Sequence, residues 1–102
     1  METLEKRLEK AFVKWINSID GKAVKGPAYQ EVGIPDRITV LPNGGGTIWV
    51  EFKSGDDYGL TPMQEEWKEL LISSDPERYF CVDSIELYNA LIEKCKTFML
   101  TK

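Results

Sequence analysis

Hydrophobic and polar positions alternate along this chain in stretches with different periods. Leu4, Leu8, Ala11, Phe12, Trp15 and Ile16 recur at helical spacing with lysine and glutamate between them, which predicts an amphipathic helix over residues 3–17. Asp20-Gly21 ends it. Lys22-Ala23-Val24-Lys25 alternates like a short strand, and Gly26-Pro27 and Gly33-Ile34-Pro35 are breaks. Arg37–Leu41 and Thr47–Lys53 read as two strands joined by Pro42-Asn43-Gly44-Gly45-Gly46, a turn whose asparagine and glycines tolerate positive φ. Ser54 to Leu60 is a polar loop. Thr61-Pro62 then opens a helix to about residue 73, with threonine as N-cap, proline at the first helical position and Gln64 completing a capping box. Residues 78–82, RYFCV, form a short buried strand. Asp83, with Glu86 three residues on, caps a last helix to about residue 96. The predicted order is α-β-β-β-α-β-α, a small mixed sheet flanked by helices.

The hairpin decides which side chains share a face. Alternation puts Glu51 and Lys53 on one side and Phe52 on the other. A two-residue turn at Asn43-Gly44 pairs Asp36 with Glu51, and one at Gly44-Gly45 pairs Asp36 with Lys53. Both registers gather Asp36, Glu51 and Lys53; a three-residue turn without a bulge would separate them. Two carboxylates supply hard oxygen ligands for magnesium or manganese, and a lysine can orient water or offset charge on a phosphate. The plainer alternative is a solvated hairpin face with a cross-strand salt bridge.

Composition narrows the chemistry. The chain has 102 residues, one domain's worth, with 42% hydrophobic and 29% charged residues, so disorder and coiled-coil rods are excluded. There is no histidine, which excludes a histidine base, a Ser-His-Asp triad and histidine-ligated zinc. Cys81 lies in an apolar run and Cys95 near a helix end; neither belongs to a CxxC pair, and a reduced, cytoplasmic setting is expected. No apolar run approaches the roughly 20 residues of a membrane helix, and the charged start is no secretory signal. Net charge is -4. Residues 1–26 carry six basic and four acidic groups, the remainder seven and thirteen. Such an acidic balance is not the usual footprint of a duplex-binding protein unless a cation and a local basic patch intervene.

The wording of the motif adds to this. GIPDRITVLPNGGGTIWVEFKSG followed by LTPMQEEWKELL resembles the VRR-NUC (virus-type replication-repair nuclease) family of the PD-(D/E)xK nuclease superfamily, over roughly residues 5–90. GxPDR, ExK and the downstream glutamine stand at the family's spacing. The chain resembles the stand-alone, minimal form found in bacteriophages and prophages, and the same module is the nuclease domain of the Fanconi-associated nuclease. The resemblance implies a restriction-endonuclease-like fold over residues 1–102 and a metal-dependent DNA endonuclease using Mg2+ or Mn2+ in replication, recombination or repair. Asp36 and Glu51 would be metal ligands with the backbone carbonyl of Phe52, and Lys53 the catalytic lysine. Family members usually add a glutamate from the first helix; Glu9 is the choice and Glu5 the rival, against the plain role of helix-surface glutamates pairing with lysines.

Gln64 carries two readings, a capping-box residue or a residue close to the active site. Lys25 and Arg37 carry two as well, phosphate contacts or ordinary strand residues. Lys6, Lys10, Lys14 and Lys22 would extend a basic flank. The aromatics Phe12, Trp15, Trp49, Phe52, Trp67, Tyr79 and Phe80 read as core rather than base-stacking platforms. Asp56-Asp57 reads as a solvated loop rather than a second metal site. The expected substrate is branched DNA, a four-way (Holliday) junction whose two-fold symmetry suits a homodimer. A flap or nicking nuclease is the alternative enzyme, and a binding module that keeps the nuclease fold is the non-enzymatic alternative.

Overall fold

A computed structural model describes residues 2–54 and 59–100. The elements follow the predicted order: helix α1 (Leu4–Ser18), strands β1 (Lys22–Lys25), β2 (Arg37–Leu41) and β3 (Gly46–Phe52), helix α2 (Pro62–Ser74), strand β4 (Tyr79–Val82) and helix α3 (Ile85–Leu100). The four strands form one mixed sheet in the order β1-β2-β3-β4. β1–β2 and β2–β3 are antiparallel, and β3–β4 is parallel, with α2 as the crossover.

Each helix begins where side-chain chemistry allows. The Thr3 hydroxyl accepts from the Lys6 N–H and caps α1. Asp20, at φ 68, turns the chain out of that helix toward β1. At α2 the capping box is complete. The Thr61 hydroxyl accepts from the Gln64 N–H at 3.2 Å, and Gln64 Oε1 accepts from the Thr61 N–H at 2.8 Å. The cap of α3 is a correction: Ser84 Oγ, not Asp83, accepts from the Leu87 N–H at 3.1 Å. That helix also runs to Leu100, past residue 96, because its last turns place Phe98 and Met99 against the core.

The hairpin turns at Asn43 and Gly44, with φ of 56° and 72°. These are the positive values that a two-residue turn requires for the natural strand twist. The Gly45 N–H closes the turn onto the Pro42 carbonyl at 3.0 Å. The register follows: Arg37 pairs with Val50, Ile38 with Trp49 and Leu41 with Gly46. Extended by one residue, it sets Asp36 opposite Glu51.

Burial then separates the two sheet faces. Leu41, Ile48, Val50 and Phe52 point to one side and form a core with Leu8, Phe12 and Ile16 of α1 and Leu91 and Cys95 of α3. The Phe12 and Phe52 rings meet with centroids 5.8 Å apart. Trp49 points to the other side and stacks on Trp67 of α2, centroids 6.4 Å apart. The aromatics expected in the core divide accordingly. Phe12 and Phe52 are fully buried, Trp15 and Phe80 pack at the margin, and the tryptophan pair seats α2. Among the described residues no helix is long and apolar enough to cross a membrane.

Candidate functional site

The end of β3 and the start of β2 bring the predicted acids together. Glu51 Oε1 accepts from the Asp36 N–H at 3.2 Å, and Asp36 Oδ2 accepts from the Phe52 N–H at 2.8 Å. Each carboxylate thus grips the backbone of the opposing strand, and the two carboxyl groups lie within hydrogen-bonding reach of each other. Glu51 is almost wholly buried, at 3% exposure. Gln64 joins the cap of α2 to the acidic pair. Its oxygen completes the capping box, while its Nε2 donates to Glu51 Oε2 at 3.0 Å. Both oxygens of Glu51 are therefore held, one by β2 and one by α2.

Proline and glycine shape the approach. Pro35, before Asp36, is fully buried. Gly33, at φ 89, lies so close to α2 that a Cβ there would come within 2.6 Å of the Met63 carbonyl group. The break before Asp36 and the helix start before Gln64 are packed directly on each other, and only glycine fits between them.

The electrostatics record the crowding. Burial, above all, and then the Asp36 charge push the Glu51 carboxyl up to about 8, against the pull of Lys53. Burial likewise raises Asp36; the Phe52 N–H draws it back, the Glu9 charge raises it, and Lys25 and Lys53 lower it. Lys53 is within electrostatic reach of both acids, and its own N–H continues the sheet by donating to the Val82 carbonyl at 2.9 Å. Phe52 has its ring in the core and its backbone beside Asp36, as alternation requires.

Glu9 faces the site region from α1, but its carboxylate is occupied. Oε2 accepts from Arg37 Nε at 2.9 Å and lies 3.7 Å from Lys25 Nζ. Arg37 also donates to the Ala23 carbonyl at 3.0 Å. The guanidinium therefore ties α1, β1 and β2 together; only 19% of its side chain is exposed, against 63% for Lys25. Of the two, Lys25 is the more exposed cation. Glu5, the rival, accepts a long hydrogen bond from Ser54 Oγ at 3.5 Å. Among the described residues no group of three or more His, Cys, Asp or Glu side chains is gathered to hold a metal. The acidic pair is Asp36 and Glu51, and the Glu9 charge reaches Asp36. Asp56 and Asp57 lie outside the described residues.

Cys81 is the neighbour that sequence reasoning placed only in the core. It pairs with Glu51 across β3 and β4 and is half-buried. Its place follows from the parallel register, which no local signal encodes. Cys95, by contrast, is fully buried in the core.

No family model matches the sequence, and no curated protein matches it. The likeness to VRR-NUC nucleases rests on the motif residues themselves.

Proposed function

We propose that the chain is a divalent-metal-dependent DNA endonuclease with a PD-(D/E)xK-type site and VRR-NUC character. The observation that carries this reading is the pairing of Asp36 and Glu51 on one sheet face, in mutual reach, with Lys53 close enough to act on both. A solvated hairpin face accounts poorly for it. Glu51 is buried, and burial together with the Asp36 charge raises its proton affinity, which a simple cross-strand salt bridge would not do.

The donor set fits magnesium or manganese. Magnesium is commonly held by one or two carboxylates, with waters and substrate phosphate completing its shell. Asp36 and Glu51 would hold it, with the Phe52 carbonyl in the position that the family resemblance implies. When bound, such an ion lowers the pKa of a coordinated water and offsets charge on a phosphodiester. The protein's own residues do the remainder. The Asp36 and Phe52 N–H groups fix the two carboxylates, and Gln64 fixes the outer oxygen of Glu51. Lys53 orients the attacking water or neutralises charge on the phosphate. Lys25 meets the flanking backbone. The favoured substrate is a four-way junction cut by a homodimer, in keeping with the match between two-fold symmetry and two strands.

The test compares wild type with Asp36→Asn on a labelled four-way junction, a flap and a nicked duplex, with magnesium, manganese or chelator. Wild type cuts the junction only with metal, and the variant loses at least roughly 100-fold of that rate. Cutting of flaps but not junctions would reassign the substrate. Metal-independent binding with no cleavage under any condition would make the chain a binding module. Light-scattering mass separates monomer from dimer.

A further inference from the structure

Helix α2 carries three glutamates, Glu65, Glu66 and Glu69, and a single base, Lys68. Lys68 follows Gln64 by four residues, so both side chains rise from one face of the helix. Gln64 uses that face to reach Glu51. One turn on, Lys68 overlooks β4. Cys81 is the residue paired with Glu51; burial and then the Glu51 and Asp83 charges raise its thiol, and the Lys68 and Lys53 charges lower it. Both lysines therefore lie near the Glu51–Cys81 pair.

Lys68 is half-buried, whereas Glu65, Glu66 and Glu69 are exposed. No ion pair joins Lys68 to a carboxylate among the described residues. Glu65, three residues earlier, stands at ion-pairing spacing and is not used. An ammonium that no carboxylate engages is available to an anion placed beside it. The neighbouring site is where the proposed substrate would present such an anion.

We propose that Lys68 is a phosphate-binding residue of this site, holding the nucleic-acid backbone on the β4 side while Lys53 serves the scissile phosphate. The inference rests on the nuclease reading and extends it to a residue outside the Asp-Glu-Lys motif.

The experiment measures binding of a fluorescent four-way junction across a salt series, with calcium replacing magnesium to suppress cleavage. Single-turnover cleavage in magnesium is measured alongside. Lys68→Ala should weaken binding about 5- to 10-fold and reduce the slope of log Kd against log salt by about one. Its cleavage rate at saturation should change little, placing the loss in binding. Lys68→Arg should restore both affinity and slope. Lys94→Ala, at a lysine ion-paired with Glu77, should move neither. Wild-type cleavage with unchanged affinity and slope in Lys68→Ala would overturn this assignment alone. So would a loss that Lys68→Arg fails to restore and that tracks a lower melting temperature. A wild-type protein that neither binds nor cuts DNA would overturn the nuclease reading and this assignment together.

Discussion

At the scale of single residues, burial sets the behaviour of the two acids. Glu51 is the extreme case. Its carboxyl titrates near 4.5 when unfolded and is held up to about 8 in the fold. Between those values the native protein keeps a proton that the unfolded chain has released. The resulting stability is fully present below about 4.5 and is lost as pH rises through about 8. Metal-free protein should therefore melt at progressively lower temperature across that window in calorimetry with chelator. Glu51→Gln should flatten the profile, and magnesium or manganese should raise the melting temperature most at the alkaline end. A flat wild-type profile would remove the case for two crowded acids. Glu9 makes a different prediction. As the buried counter-ion of Arg37, it should cost roughly 3 kcal/mol of stability when changed to alanine, because a desolvated guanidinium is left behind. Denaturant melts check this without reference to cleavage. A variant that loses metal affinity at unchanged stability would return Glu9 to the role of ligand.

At the scale of elements, the hairpin and α2 were readable because local chemistry leaves few choices. Asn43-Gly44 accepts the positive φ of a two-residue turn, and that turn alone sets Asp36 against Glu51. Thr61-Pro62 with Gln64 marks a helix start in any context. What stayed hidden depends on residues distant in sequence. The Arg37–Glu9 pair spans 28 residues, and the pairing of Cys81 with Glu51 waits on the α2 crossover. The choice between Asp83 and Ser84 as a cap was open because both are good caps. Gly33 belongs to this scale, since it joins the loop before β2 to the start of α2. Gly33→Ala should cost about 1–3 kcal/mol and lower cleavage, by pushing Gln64 away from Glu51. Gly59 has a similar φ of 86° with nothing within 4 Å of an added Cβ. Gly59→Ala should show the backbone cost and spare cleavage. Equal cleavage in the two variants would mean that the contact with Met63 does not position the helix.

For the whole molecule, the two faces of the sheet are covered differently. One face is closed by α1 and α3 over the hydrophobic core, and the other carries α2 and the acidic pair. Thr39 is an imperfection in the closed face. It is fully buried, and its hydroxyl is the buried side-chain polar atom without a partner among the described residues. Thr39→Val should raise stability by about 1 kcal/mol and leave cleavage unchanged, as read by denaturant melts and junction assays. A destabilised variant would point to a partner for that hydroxyl. The net charge of -4 is uneven along the chain, with six basic and four acidic groups in residues 1–26 and seven and thirteen in the remainder.

The ring of Phe52 links the two faces. It is wedged against Phe12 on one side of the sheet, and the residues immediately before and after it in the chain, Glu51 and Lys53, project from the other. Any repacking that tilts this ring moves an acid and an amine together. A genetic screen for loss of the proposed cutting should therefore return interior positions of the first helix, Leu8, Phe12 and Ile16 among them.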